Sequence, residues 1–190
     1  MNARKMLKKA ILEFTDEVAE QPLSNFVIDE YLPDANILKY NDLQNKNISS
    51  IFQNNNYVIL LIESQPNNGH WVCLLRYDDG TIEYFDSYAK PIDYFINKLK
   101  HSPNSIPYLS DILDNYISET NNKVIYNGLK FQVNDSDINT CGRHVVFRIL
   151  QYNEHNKKLG EYIKFMKGFK KENPGFTYDD IVAFYIKKTD

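Results

Sequence analysis

The 190-residue chain is 43% hydrophobic and 25% charged, the balance of a soluble globular protein with enough length for one sizeable core. Its net charge of −3 gives no global basis for nucleic-acid binding. No stretch approaches the roughly 20 apolar residues that span a bilayer, so no membrane role is expected.

The start of the chain is basic and then amphipathic. Met6, Leu7, Ala10, Ile11, Phe14 and Val18 recur at helical spacing and predict a helix over 4–20. The segment lacks the apolar run and cleavage site of a secretory signal, and a docked surface helix is expected rather than an organellar presequence. QPLSNFVIDEYLP, punctuated by Pro22 and Pro33, reads as a loop with short extended pieces. A short helix is expected near 40–53. YVILLIES, 57–64, is a continuous apolar run that suits a buried central strand. HWVCLLRY, 70–77, and TIEYFDSY, 81–88, predict two further strands joined by a hairpin at Asp78-Asp79-Gly80. Helices are expected over 92–100 and 108–118, around a break at HSPNSIP. KVIYNGLKFQV reads as extended, and helices follow from Cys141, over 159–171 and over 178–188. The fold class is α+β, a small mixed sheet flanked by helices. One domain is expected over 1–190, with a core at about 57–152 and a helical part at about 157–190.

Two cysteines, Cys73 and Cys141, cannot build a disulfide framework, and a reducing intracellular setting is the simpler reading. Zinc is poorly served. There is no CxxC, and His70, His101, His144 and His155 form no HExxH. Cys141 and His144 could offer two ligands on one helix, but no second pair follows. No metal or cofactor is expected.

The hairpin carries the first chemical signal. A three-residue loop ending in a left-handed glycine pairs Tyr77 with Thr81. Val72 then opposes Asp86, and His70 and Asp86 become diagonal neighbours on one face, within reach of each other. A two-residue loop would send Asp86 to the opposite face. A carboxylate beside an imidazole fixes its tautomer and stabilises the imidazolium, although a plain surface His–Asp pair has the same pattern. Cys73, at an odd offset from His70, points to the other face and reads as a core residue.

Cys141 is the better nucleophile. It begins a predicted helix whose unpaired N–H groups and dipole favour a thiolate, and those N–H groups could also hold an oxyanion. Asp137 through Thr140 supply capping candidates. Gly142 would let a substrate backbone approach closely. Arg143 is expected to face solvent. The competing reading of Cys141 is a buried residue at a helix start.

The order His70, Asp86, Cys141, with GHW and FDSY ahead of a CG helix, resembles the adenovirus-type maturation proteases and the related ubiquitin-like-modifier proteases. The resemblance covers about 57–152. It implies a permuted papain-like core, His70 as general base, Asp86 as its orienting acid and Cys141 as nucleophile. Trp71 would wall a narrow cleft, alongside or instead of core packing, and such a cleft favours glycine or other small residues before the scissile bond. The family carries a glutamine a few residues closer to its cysteine. Here Gln132 is favoured as the second oxyanion donor, with the loop VNDSDINT absorbing the extra length, and Asn134 is the alternative.

NGHWVCLLR, EYFDSY and NTCGRHVVFRIL look most like maturation proteases of double-stranded DNA viruses, virophages and Maverick-type transposons. That likeness implies capsid and core precursors as substrates, in the virion and the host-cell cytoplasm, and a monomeric enzyme. Adenoviral relatives use DNA and a peptide as activators. The acidic balance gives DNA no support, and Cys73 inside a strand argues against a disulfide-tethered peptide. The lysines from Lys157 onward are interleaved with acids and read as a solvated helical face. The alternatives are an isopeptidase acting on ubiquitin-like modifiers and a non-enzymatic scaffold with a decayed site.

Overall fold

The computed structural model describes residues 3–66, 68–98 and 106–187. Its helices are α1 (Ala3–Glu20), α2 (Asn25–Tyr31), α3 (Ile48–Phe52), α4 (Tyr94–Lys98), α5 (Tyr108–Thr120), α6 (Cys141–Asn153), α7 (Leu159–Glu172) and α8 (Tyr178–Tyr185). Its strands are β1 (Ile37–Lys39), β2 (Tyr57–Gln65), β3 (Asn68–Arg76), β4 (Ile82–Phe85) and β5 (Val124–Tyr126). The chain divides into two compact units. Asp34–Gly128 forms a sheet unit, and the segments up to Pro33 and from Leu129 form a helical unit.

The sheet unit is α+β, and its five strands lie in chain order. The two outer pairings are parallel, and the central β2–β3–β4 meander is antiparallel. Val58, Leu60, Ile62, Val72, Leu74, Ile82 and Tyr84 point to one face. They pack there on Ile51 and Phe52 of α3, Ile96 of α4 and Leu109, Ile112 and Leu113 of α5. Ile59, Leu61, Trp71, Cys73, Leu75 and Phe85, on the opposite face, are buried as well. Burial on both faces explains why 57–64 reads as an unbroken apolar run.

The hairpin has the expected register. Arg76 lies opposite Ile82 and Cys73 opposite Phe85. The Tyr77 N–H donates to the Thr81 carbonyl at 2.9 Å, and Gly80 takes a φ of +80°. The ladder stops at Phe85, so the third strand is shorter than 81–88, and Asp86 begins the turn beyond it. At the other end of β3 the register shifts at Glu63–Gln65. A Cβ on Gly69 would lie 2.1 Å from the Ile62 carbonyl oxygen, so this close strand approach, one residue before His70, requires glycine.

Several expected elements come out differently. The segment between Pro22 and Pro33 is helical, because the Ser24 hydroxyl caps it by accepting the Val27 N–H at 3.4 Å and Val27 and Ile28 are buried. The helix near 40–53 is two pieces, a 3-10 turn at Tyr40–Leu43 and α3, parted by Asn45 at a φ of 61° and capped afresh by Asn47. β1 carries no strand signal of its own, since its three residues are strand only through their pairing with β2. The extended stretch after Lys123 pairs only over β5. The break from His101 to residue 105 lies outside the described residues.

In the helical unit α1 docks on α8. Val18 and Ala19 pack with Ala183, and the buried Thr15 hydroxyl donates to Asp180 Oδ1 at 3.1 Å. α6 is the most enclosed helix, buried from Gly142 through Ile149. Arg143 is fully buried, contrary to the solvent-facing expectation. Its Nε donates to the Ile186 carbonyl at 3.1 Å, and Nη1 donates to the Gln21 carbonyl. One guanidinium thus ties α6 to the chain ends of α8 and α1, a use its fixed fork of donors suits.

Because Gly80 is left-handed and a Cβ there would lie 2.4 Å from Asn122 Nδ2, Gly80→Ala should lower the urea-unfolding free energy by about 1–2 kcal/mol. An unchanged unfolding midpoint would refute this account of the hairpin.

Candidate active site

His70 and Asp86 meet. His70 Nε2 lies 2.8 Å from Asp86 Oδ1, with the imidazole 11% exposed and the carboxylate fully buried. Both continue the even-numbered face of β3 and β4, as the hairpin register requires. The Tyr88 ring centroid lies 5.0 Å and the Phe95 centroid 4.6 Å from the imidazole, which confine its orientation.

The surrounding backbone makes the buried carboxylate tolerable. Asp86 Oδ1 also accepts the Tyr88 N–H at 2.8 Å, and Oδ2 accepts the Lys90 N–H at 3.3 Å. An aspartate accepting the N–H two residues on is a common turn former, and Ala89, left-handed at a φ of 53°, closes this turn. Asn127 supplies what the ending strand no longer can. Its Oδ1 accepts the Asp86 N–H at 3.0 Å, and its Nδ2 donates to the Asp86 carbonyl at 2.7 Å. The side-chain amide stands in for a peptide of β5, one step past the last strand pairing. Sequence reasoning missed Asn127 because Asn-Gly signals a turn and nothing local marks its partner.

Cys141 opens α6 and is half-buried. Cys73 is fully buried in β3, opposite Phe85. Neither is in a disulfide. Thr140 occupies the N-cap position of α6, but its side chain does not cap. Its hydroxyl donates instead to Asp179 Oδ1, so the expected capping role is corrected. Asp137 gives no such bond either, since its carboxylate accepts from the neighbouring Ser136 hydroxyl. Gly142 is buried as the second residue of the helix.

Gln132 is buried, and its Nε2 donates to the Ile138 carbonyl at 3.2 Å, while Asn134 is exposed. Trp71 is 5% exposed and lies opposite Leu61, on the sheet face away from His70. His144 is fully buried, and its Nε2 lies 3.0 Å from Asp179 Oδ1. Among the described residues no group of three His, Cys, Asp or Glu could hold a metal. No helix there is long and apolar enough to cross a membrane. His70 and Asp86 belong to the sheet unit, and Gln132 and Cys141 to the helical unit.

An open cavity of about 290 Å³ adjoins His70, lined by Ile62, Phe95, Glu63 and Lys98 among others. Lys39 pairs with Glu63 at 3.0 Å.

Comparison with known proteins adds a relative and a fold. The chain is 35% identical over 173 residues to the uncharacterized protein V9 of Sputnik virophage, covering 86% of this chain and 93% of that protein. The chain belongs to the V9 family. No established family model matches the V9-type sequence given by this chain. Its fold is similar to that of the ASFV pS273R protease, at a TM-score of 0.53 and 14% identity over 90% of this chain and 68% of that one. The central domain of an uncharacterized Lpg1148 protein from Legionella pneumophila aligns at a TM-score of 0.45 and 14% identity. This V9-family chain is therefore an α+β protein with a five-stranded mixed sheet and a fold resembling a viral protease.

The charge state of Asp179 gives a test of the helical unit. Burial alone would raise its carboxyl, but the bonds and charge from His144, with the Thr140 hydroxyl and the Val133 N–H, hold it below the ordinary value of 3.8. A depressed folded value contributes stability above the unfolded value and loses it as pH falls through the folded one. Asp179→Asn should cost about 2 kcal/mol near neutrality, a gap that narrows as pH drops from about 5 to about 2. Urea unfolding across that range checks it, and a gap that widens in acid would contradict the assignment.

Proposed function

We propose that this V9-family protein is a cysteine endopeptidase with His70 as base, Asp86 as its orienting acid and Cys141 as nucleophile. The observation that carries the reading is the buried His70–Asp86 hydrogen bond at 2.8 Å, in a chain whose half-buried second thiol begins a helix. A carboxylate fully enclosed by backbone donors and aimed at one imidazole nitrogen is costly as mere surface decoration. It suits a base whose tautomer must be fixed.

The chemistry follows from that arrangement. With Nε2 committed to Asp86, Nδ1 takes the thiol proton from Cys141. The thiolate attacks the substrate carbonyl carbon, and the carbonyl oxygen becomes an oxyanion. Donors at the start of α6 and the Gln132 amide would receive that charge. Burial of Gln132 and exposure of Asn134 support Gln132 as the donor. Collapse breaks the C–N bond while His70 returns the proton to the leaving amine. Water, deprotonated by His70, then attacks the thioester, the C–S bond breaks and the thiol is restored.

The protease-like fold and the virophage relative support a viral setting. We assign capsid or core precursors, cut after small residues, as substrates. A panel of capsid precursors and modifier conjugates decides this, and cleavage of the conjugates alone would redirect the reading to an isopeptidase.

Cys141→Ala should abolish cleavage with the far-ultraviolet circular dichroism unchanged, while Cys73→Ala keeps most of the activity. Full activity in Cys141→Ala would end the assignment. Iodoacetamide should alkylate Cys141 far faster in the wild type than in His70→Ala, and kcat/KM should be bell-shaped in pH. Equal alkylation rates in the two proteins would remove His70 from the mechanism.

A further inference from the structure

Gln132 and Cys141 are nine residues apart, and the loop between them runs through five consecutive exposed residues, 133–137. An exposed polar loop of this kind does not by itself hold two ends in a fixed relation. Yet two donors of an oxyanion hole must hold their places closely, since a shift near 1 Å can cost about 100-fold in rate.

The two ends of the loop converge on one carboxylate. Asp179 Oδ2 accepts the N–H of Val133, the residue after Gln132, at 3.0 Å. Asp179 Oδ1 accepts the hydroxyl of Thr140, the residue before Cys141. The same Oδ1 lies 3.0 Å from Nε2 of His144, one turn into the cysteine's helix. Asp179 is 3% exposed, and His144 is fully buried with no partner at Nδ1, so the imidazole serves as a donor to Asp179.

The carboxylate is itself held in place. The Thr177 hydroxyl accepts the Asp180 N–H at 3.0 Å, and Asp180 Oδ2 accepts the Thr177 N–H at 2.7 Å, a reciprocal cap that fixes the first turn of α8. Three further bonds pin the closed base of the loop. Gln132 Nε2 donates to the Ile138 carbonyl at 3.2 Å. The Asn139 N–H reaches the Ala19 carbonyl and its Nδ2 reaches the Glu20 carbonyl, each at 2.8 Å.

We infer that Asp179 is a positioning residue for the oxyanion hole: it clamps the backbone after Gln132 to the residue before Cys141, so that the extra loop length bulges outward. The inference rests on the cysteine-protease reading above. It assigns Asp179 no contact with substrate, and it gives His144 the role of a buried brace.

The test compares the full-length wild type, Asp179→Asn, Gln132→Ala and the double variant on a fluorogenic peptide with Gly-Gly before the scissile bond. Asp179→Asn should lower kcat about 10- to 100-fold with KM changed by less than about threefold. Affinity for the matching peptide aldehyde, whose adduct places an oxyanion in the hole, should fall in parallel. Alkylation of Cys141 by iodoacetamide needs a thiolate and no oxyanion, so its rate should stay within about twofold. In the Gln132→Ala background Asp179→Asn should cost no more than about threefold, because both act on one device. Thr140→Val, which removes one hydroxyl, carries the test should Asp179→Asn fail to fold, with the same pattern at about three- to tenfold. Unchanged kcat, fully additive losses, or alkylation falling as far as kcat would each overturn the clamp. A wild type that neither cleaves the peptide nor alkylates Cys141 faster than His70→Ala overturns the protease reading itself, and the clamp with it.

Discussion

Everything in the sheet unit that bears on chemistry depends on the register between β3 and β4, and Gly80 sets that register. With φ at +80° it closes a three-residue loop, and Cys73 then faces Phe85. The alternation of side chains along a strand does the rest. His70, Val72 and Leu74 share a face with Ile82, Tyr84 and Asp86, so the polar pair grows out of the hydrophobic core. A slip of one residue would carry Asp86 to the face of Phe85 and place a charge where the sheet needs apolar surface. The same constraint that stabilises the sheet therefore brings the carboxylate to the imidazole, and the core's preference for one register protects the pair.

The two units hold their polar residues by different means. The Asp86 carboxylate accepts two backbone N–H groups of the following turn, and the Asn127 side-chain amide pairs with the Asp86 main chain. Backbone donors in a tight turn have little freedom to lose, which makes burying the charge cheaper. Around Cys141 the ties are side chains that span large sequence separations. Arg143 reaches Gln21 and Ile186, and Asp179 reaches Val133, Thr140 and His144. Such ties work only when every partner is in place, because an arginine or aspartate buried alone would be strongly destabilising.

These differences explain what could be read in advance. Residues 57–86 carried their structure locally, through apolar alternation, a turn glycine and a fixed offset between His70 and Asp86. The α6 start was legible because a polar run gives way to a helical apolar pattern at Cys141. What escaped was long-range. Asn127 and Asp86 are 41 positions apart, and Asp179 and Val133 are 46 apart, with no local pattern linking them. Arg143 looked like an ordinary helix surface cation, and only the carbonyls of Gln21 and Ile186 give it a reason to be buried. α2 was hidden by its prolines, which flank the helix without interrupting it. The role of Thr140 is hidden because a cap and a donor to a distant carboxylate look alike in sequence.

The helical unit is assembled from two separated segments, and this imposes an order on synthesis. The sheet unit, Asp34–Gly128, is continuous and has all its residues once they leave the ribosome. The helix of Cys141 is anchored by groups at Asp179 and Ile186, which emerge far later. At about 5–20 residues per second, that interval lasts seconds. The His70–Asp86 pair can thus form while the helix of Cys141 still lacks its ties to Asp179 and Ile186. The sheet unit therefore does not wait for α8 to fold, whereas Thr140 and Arg143 keep their distant partners only once α8 has been made.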